Sequence, residues 1–176
     1  MRLFVAINFP KEIKVEIAKI RDSLKDASLR GNFSFDENLH LTLVFLGECD
    51  VQQTNTIKTV LNDIQFPELT LMLEKAGYFK RDGGNTWWIG LKENKLLSDL
   101  QAELTECLIQ KGFLLENRKY TPHVTIGREV RMRTGFAIPE IQQISFNITS
   151  IELMKSERIN GKLVYTKVYS RQNSVF

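Results

Sequence analysis

The sequence predicts an α+β protein with two pseudo-symmetric lobes of antiparallel sheet, helices on the outside and a central cleft. Three observations carry this expectation. Amphipathic stretches of helical period alternate with strand-like stretches along most of the 176 residues. One four-residue pattern occurs twice, as His40-Leu41-Thr42-Leu43 and His123-Val124-Thr125-Ile126, each near a long amphipathic helix. No Pro/Gly-rich linker separates the halves, so residues 1–176 read as a single bilobal domain.

The elements follow in order. Residues 2–8, Arg2-Leu3-Phe4-Val5-Ala6-Ile7-Asn8, read as a buried first strand. Pro10 opens a helix, where its missing N–H is harmless. Ile13, Ile17, Ile20 and Leu24 then recur at helical spacing to about Ala27. A polar stretch with Gly31 and Asn32 leads to a strand over 39–46, read as central. Strict alternation puts Leu39, Leu41, Leu43 and Phe45 on its buried side and His40, Thr42 and Val44 on the other. Residues 51–65 fit a second helix, with Ile57, Val60, Leu61 and Ile64 as its stripe. Strands over 69–79 and 86–91 flank Arg81-Asp82-Gly83-Gly84-Asn85, which is turn chemistry. Residues 92–111 form a third helix, stopped at Gly112. The second His strand runs from His123 to Gly127, and residues 143–155 alternate as one strand. Asn160-Gly161 marks a closing hairpin between 151–158 and 163–170. The tail, 172–176, is expected to fray.

Composition excludes several classes. A charged fraction of 26% and an apolar fraction of 43% suit a globular domain, not a disordered chain. A net charge of +3 permits a polyanionic partner without demanding one. No apolar run approaches the roughly 18 residues of a membrane span, and the start lacks the apolar length of a signal peptide. Cys49 and Cys107 stand in no metal-ligand spacing and read as free thiols in a reducing cytoplasm. The expectation is a cytoplasmic monomer without a membrane partner.

The repeated pattern carries the chemistry. The chain has only two histidines, and each stands two residues before a threonine. One histidine meets this pattern by chance on the order of one time in two hundred. On a strand, residues i and i+2 share a face. Two such strands brought together converge two imidazoles and two hydroxyls on one point. One neutral and one protonated imidazole on opposite sides of a phosphate can serve as base and acid. Threonine hydroxyls can donate to phosphoryl oxygens. This set needs no metal or other cofactor, and the sequence has no Gly-rich phosphate loop and no Gly-x-Ser-x-Gly elbow. Arg128 offers a fixed cation; strict alternation puts it opposite His123, but Gly127 allows a bend. Tyr120, Phe45, Tyr78, Phe79, Trp87 and Trp88 lie near strand ends, where one or more could stack on a base and most could equally pack the core.

Four stretches resemble one family: Arg2-Leu3-Phe4-Val5-Ala6-Ile7, His40-Leu41-Thr42-Leu43-Val44-Phe45-Leu46-Gly47, Tyr120-Thr121-Pro122-His123-Val124-Thr125-Ile126-Gly127-Arg128, and the closing strands around Ser156 and Tyr165. Together they resemble the 2H phosphoesterase superfamily, and within it the RNA 2′,3′-cyclic phosphodiesterases, long labelled 2′-5′ RNA ligases. The resemblance implies a bilobal fold with both motifs facing a cleft. It implies metal-independent hydrolysis of a terminal 2′,3′-cyclic phosphate to a 2′-phosphomonoester, with 2′-5′ joining in some members. It implies RNA 3′ ends as partners, tRNA fragments among them. By motif position it implies His40 as proton donor, His123 as base, and Thr42, Thr125 and Arg128 as phosphate ligands; Tyr120, from the aromatics near the strand ends, is a further candidate for substrate binding. Cyclic phosphates of small nucleotides, ADP-ribose derivatives, a non-catalytic nucleotide-binding module and an adaptor are the competing readings.

Overall fold

A computed structural model of the chain describes residues 1–174. Its elements are β1 (Arg2–Asn8), α1 (Lys11–Asp26), β2 (Ser28–Phe33), a 3-10 turn (Asp36–Asn38), β3 (His40–Glu48), α2 (Val51–Asp63), β4 (Leu69–Phe79), β5 (Asn85–Leu91), α3 (Lys95–Gln110), β6 (His123–Met132), β7 (Ser145–Ile148), β8 (Ser150–Ile159) and β9 (Lys162–Gln172). They build two antiparallel sheets, one ordered β3-β1-β8-β9 and the other β2-β6-β5-β4-β7. Leu3, Val5 and Ile7 of the first sheet share one continuous core with Ile89, Val124 and Ile126 of the second. The two His strands, β3 and β6, lie against each other where the sheets meet.

The lobes are present, but they are not the two halves of the chain. The first sheet takes two strands from the beginning and two from the end. Helix α1, from the first half, packs on β2 and β6 of the second sheet, while α3, from the second half, packs on β3 of the first. Each lobe is thereby locked to the other by the chain's own crossings.

Helix positions follow the apolar stripes. Ile13, Ile17 and Leu24 of α1, Ile57, Val60 and Leu61 of α2, and Leu97, Leu100, Leu104 and Leu108 of α3 are buried. Starts follow caps. Asp50 and Gln53 form a reciprocal capping box on α2. Asn94 accepts from the Leu97 N–H at 3.0 Å, so α3 begins at Lys95 rather than at 92.

Four strand expectations are corrected, each for a physical reason. β2 has no alternation; it is an edge strand whose Gly31 passes so close to β6 that a Cβ there would lie 2.8 Å from Val130 Cγ2. β3 is also an edge strand, not a central one. Within it, Val5 pairs with Val44 but Ala6 with Thr42, so Leu43 is the extra residue of a β-bulge. The bulge shifts the phase. Leu43 and Val44 are both buried, and Phe45, expected inside, is 52% exposed on the His40 face. Residues 143–155 are two strands: β7 pairs with β4 and β8 with β1, so the chain changes sheets at Thr149. The apolar phase flips there, from Phe146 and Ile148 to Ile151 and Leu153. β6 continues past Gly127 to Met132.

The closing hairpin is as expected, with Asn160 and Gly161 at φ 50° and 79°, the left-handed pair that an Asn-Gly turn supplies. The tail is tied through Ser174: Asn173 N–H donates to Thr149 at 2.7 Å and Ser174 N–H to Phe66 at 2.8 Å. The rest of the expected fraying lies outside the described residues.

Gly127 is a packing site. A Cβ there would lie 2.9 Å from Val130 Cγ2 and 3.1 Å from Phe33 Cδ1. Gly127→Ala is expected to destabilise the fold by about 1–3 kcal/mol, the usual cost of overpacking. Urea denaturation followed by fluorescence reads this as a lowered midpoint, and an unchanged midpoint would contradict the packing argument.

Candidate active site

Both His strands begin at their histidine, and both rings are held in the same way. His40 Nδ1 lies 2.6 Å from the Asn38 carbonyl oxygen, and His123 Nδ1 lies 2.6 Å from that of Thr121. A carbonyl oxygen only accepts, so each Nδ1 carries the hydrogen. The neutral ring then has its lone pair at Nε2, and any added proton goes there. His40 Nε2 stands 3.0 Å from Thr42 Oγ1 on the same strand face. The His-x-Thr spacing does what period-2 geometry requires.

Arg128 reaches the same cleft by a second bulge. Trp88 pairs with Thr125 but Trp87 with Gly127, so Ile126 is the extra residue. The phase shift returns Arg128 to the His123 side of the strand, and its charge bears on His40, His123 and Tyr165. Tyr120 takes a different place. Its hydroxyl donates to the Thr42 carbonyl at 3.2 Å, and burial holds its ionisation well above the ordinary tyrosine value. It bridges the approach to β6 with the backbone of β3.

Further neighbours surround the His40 ring, and of the aromatic ones only Phe45 had a role expected from the sequence. Phe4 and Tyr165 enclose the His40 ring at centroid distances of 4.9 and 5.0 Å. Phe45 lies 6.0 Å from Phe4. The 3-10 turn that supplies the Asn38 carbonyl is clamped from three sides. Lys14 Nζ donates to the Glu37 carbonyl at 3.2 Å, Arg21 pairs with Asp36, and Asn38 Nδ2 donates to the Leu163 carbonyl at 2.8 Å. Glu152, 5% exposed, is held by Lys167 at 2.7 Å and by the Asn8 amide. The signal for this face was present in β1. Phe4, Ala6 and Asn8 alternate with core residues Leu3, Val5 and Ile7, and Asn8 pairs with His40 in the ladder.

The electrostatics favour an anion. Burial pulls His40 down to about 4, helped by the charges of Lys14, Arg128 and His123 and opposed by the Asn38 carbonyl. Burial also lowers His123, with Arg118 and Arg128 adding to it and the Thr121 carbonyl opposing. With both values lowered, the two imidazoles are neutral at pH 7, with the charges of Lys14, Arg118 and Arg128 nearby. Among the described residues, no group of three or more His, Cys, Asp or Glu is placed to hold a metal ion. No described helix is long and apolar enough to cross a membrane. Cys49 and Cys107 are unpaired thiols.

Because folding lowers the His40 value below the imidazole reference near 6.5, the native state binds fewer protons than the unfolded chain between 6.5 and about 4. This contribution to stability is present above that window and falls away as pH drops through it. An anion in the cleft opposes the cations and raises the value. NMR titration of the His40 ring is expected to give a midpoint near 4 in the free protein and a clear upward shift with inorganic phosphate. A midpoint unmoved by phosphate would contradict an anion site at this ring.

The description 2′-5′ RNA ligase superfamily matches residues 9–160. An RNA 2′,3′-cyclic phosphodiesterase of Thermotoga maritima is 36% identical over 131 residues, covering 73% of this chain and 70% of that protein. The protein of the same name from Escherichia coli is 30% identical over 166 residues, covering 94% and 92%. The crystal structure of E. coli LigT complexed with 3′-AMP superposes with a TM-score of 0.87 at 28% identity, over 99% of this chain and 98% of that one. A Thermus thermophilus structure, TT0787, shares the fold with a TM-score of 0.84 at 21% identity, over 98% and 97%. With the family match spanning most of its length and both His-x-Thr strands at one seam, the chain belongs to the 2′-5′ RNA ligase superfamily of 2H phosphoesterases.

Proposed function

We propose that this protein hydrolyses the 2′,3′-cyclic phosphate at an RNA 3′ end to a 2′-phosphomonoester, with tRNA fragments among its substrates, and that it does so without metal. The observation that carries the reading is the pair of imidazoles with Nδ1 fixed on a carbonyl and Nε2 left as the site of proton transfer, that of His40 beside the Thr42 hydroxyl, with the Arg128 charge bearing on both rings. Relatives named RNA 2′,3′-cyclic phosphodiesterase support the substrate, and the LigT complexes with 3′-AMP and with phosphate support the kind of ligand.

The reaction divides between the two sides of the cleft. His40 is walled by Phe4 and Tyr165, with Phe45 exposed on the same face. That side suits a nucleoside, with the base stacked on Phe45 and the ribose toward His40. His123 is the less deeply buried ring and the one water reaches more readily. His123 Nε2 takes a proton from water as its oxygen bonds to phosphorus. The phosphorus–O3′ bond breaks, and His40 Nε2–H gives its proton to O3′. Thr42 and Thr125 donate to the non-bridging oxygens, and Arg128 opposes the charge that builds on them. His40 must be protonated for this, and the substrate's own negative charge raises its value on binding. Tyr120, tied to the Thr42 carbonyl, holds β3 in register rather than meeting the phosphate.

An oligoribonucleotide with a terminal cyclic phosphate, incubated in EDTA, is expected to yield a 2′-phosphate at full rate. Activity lost in EDTA and restored by one divalent metal would overturn the reading. A substrate with a nitrophenolate leaving group, which needs no proton, is expected to rescue His40→Ala in part and not His123→Ala. The opposite pattern would reverse the two roles.

A further inference from the structure

The cleft face of the first sheet runs on past the His40 ring to a cation that the hydrolysis described above does not use. On β1, Leu3, Val5 and Ile7 enter the main core, while Phe4 and Ala6 pack with Met154 and Tyr165 on the cleft face. Alternation puts Arg2 on that same face. The register fixes its neighbours. Arg2 pairs with Ser156 of β8, and Ser156 pairs with Tyr165 of β9, so the three form one row across the sheet. At the other end of the face, Asn8 pairs with His40. The aromatic rings lie between these ends. Phe4 and Tyr165 stand 4.9 and 5.0 Å from the His40 ring, and Phe45 pairs with Phe4 in the ladder. Arg2 is exposed. Glu48, its ladder partner on β3, pairs with the Met1 ammonium at 3.3 Å. Among the described residues, no carboxylate forms an ion pair with the Arg2 guanidinium. Burial raises the Tyr165 hydroxyl, and the charges of Arg128 and Arg2 both oppose that rise. Two guanidiniums from separate strands, β6 and β1, thus act on one hydroxyl at the edge of the nucleoside side of the cleft.

The nucleoside at an RNA 3′ end is flanked by two phosphates. The cyclic phosphate spans O2′ and O3′ on one face of the ribose ring. The base and the C5′ arm stand on the other face, and that arm carries the phosphodiester to the rest of the strand. With O3′ at His40 and the base on Phe45, the C5′ arm follows the base away from His40, along β1 toward Arg2. A guanidinium suits a phosphodiester there, because its planar fork donates to two oxygens and it stays charged at any working pH. We propose that Arg2 binds the phosphodiester on the 5′ side of the terminal nucleoside, so that the protein distinguishes an RNA end from a mononucleoside 2′,3′-cyclic phosphate. Arg2 touches no reacting atom. It adds binding through a part of the substrate that does not react, and this is read in kcat/KM. The inference rests on the proposed hydrolysis and on the ribose lying at His40.

The test gives the intact protein two substrates. One is a nucleoside 2′,3′-cyclic phosphate with a free 5′-hydroxyl. The other is the same nucleoside carrying a 5′-methyl phosphodiester. They differ by one phosphodiester and by no second base. The ratio of their kcat/KM values cancels any damage to the histidine chemistry. At low salt the wild type is expected to prefer the diester at least about fivefold, on the scale of one charge-assisted contact. Arg2→Gln should abolish the preference. Lys162→Gln removes the same charge at the tip of the β8–β9 hairpin, where Lys162 Nζ lies 5.9 Å from the Phe35 ring centroid, and should leave the preference intact. The subsite is overturned if the wild type shows no preference, or if Arg2→Gln retains it. It is also overturned if Lys162→Gln lowers the preference as far as Arg2→Gln does, which would assign it to net charge. Equal hydrolysis of both substrates by the wild type removes the subsite alone. If the wild type hydrolyses neither, the hydrolysis reading fails and the subsite with it.

Discussion

Two backbone carbonyls, those of Asn38 and Thr121, set the geometry on which the rest of the site depends. Each sits two residues before its histidine and takes the Nδ1 hydrogen at 2.6 Å. Without that contact each imidazole could present either nitrogen to the cleft, and the two faces of a bound phosphate would not be served by defined proton positions. Much of the surrounding structure holds these carbonyls still. The 3-10 turn bearing Asn38 is pinned by Lys14 and Arg21 of α1 and by the Leu163 carbonyl of β9. Because α1 packs on the second sheet and β9 belongs to the first, this short turn is braced by both lobes. The crossing of the chain between lobes is therefore part of how the site is positioned.

The electrostatic arrangement follows from the same burial. Aromatic walls strip water from His40 and lower its proton affinity, and Arg128 and Lys14 add to that effect. Two neutral rings beside Arg128 suit a negatively charged ligand. In the proposed mechanism, the substrate's phosphate supplies that charge and moves one imidazole toward the protonated state that proton donation requires. The two proton affinities belong to the pair with its ligand, not to either ring alone. The two sides of the cleft differ in what surrounds them, with Phe4, Phe45 and Tyr165 near His40 and Phe79 and Trp88 near His123. In the proposed mechanism, that difference is what lets nearly identical motifs take opposite tasks.

The parts of this account that were legible in the sequence are those governed by local period. The His-x-Thr pairs, the three helical stripes and the Asn160-Gly161 turn each depend on residues a few positions apart. The bulges at Leu43 and Ile126 were not legible, because a bulge is defined by what the partner strand does, and that partner lies far away in sequence. The consequence is concrete: alternation buried Phe45 and turned Arg128 away, and both face the cleft side. β2 was invisible for a related reason, since it is held by close passage over Val130 rather than by any pattern of its own. The interleaving of the lobes also required long-range pairing. The phase flip between Ile148 and Ile151 was in plain view and marked the change of sheet.

The central claim is that the two imidazoles stand on opposite sides of one phosphorus, with the ribose on the His40 side. A crystal structure with a nucleoside 2′,3′-cyclic vanadate, which imitates five-coordinate phosphorus, tests it most directly. The account predicts His40 Nε2 within hydrogen-bond distance of the apical O3′ and His123 Nε2 on the opposite apical oxygen. A complex with both rings on the same side of vanadium, or with O3′ at His123, would contradict it.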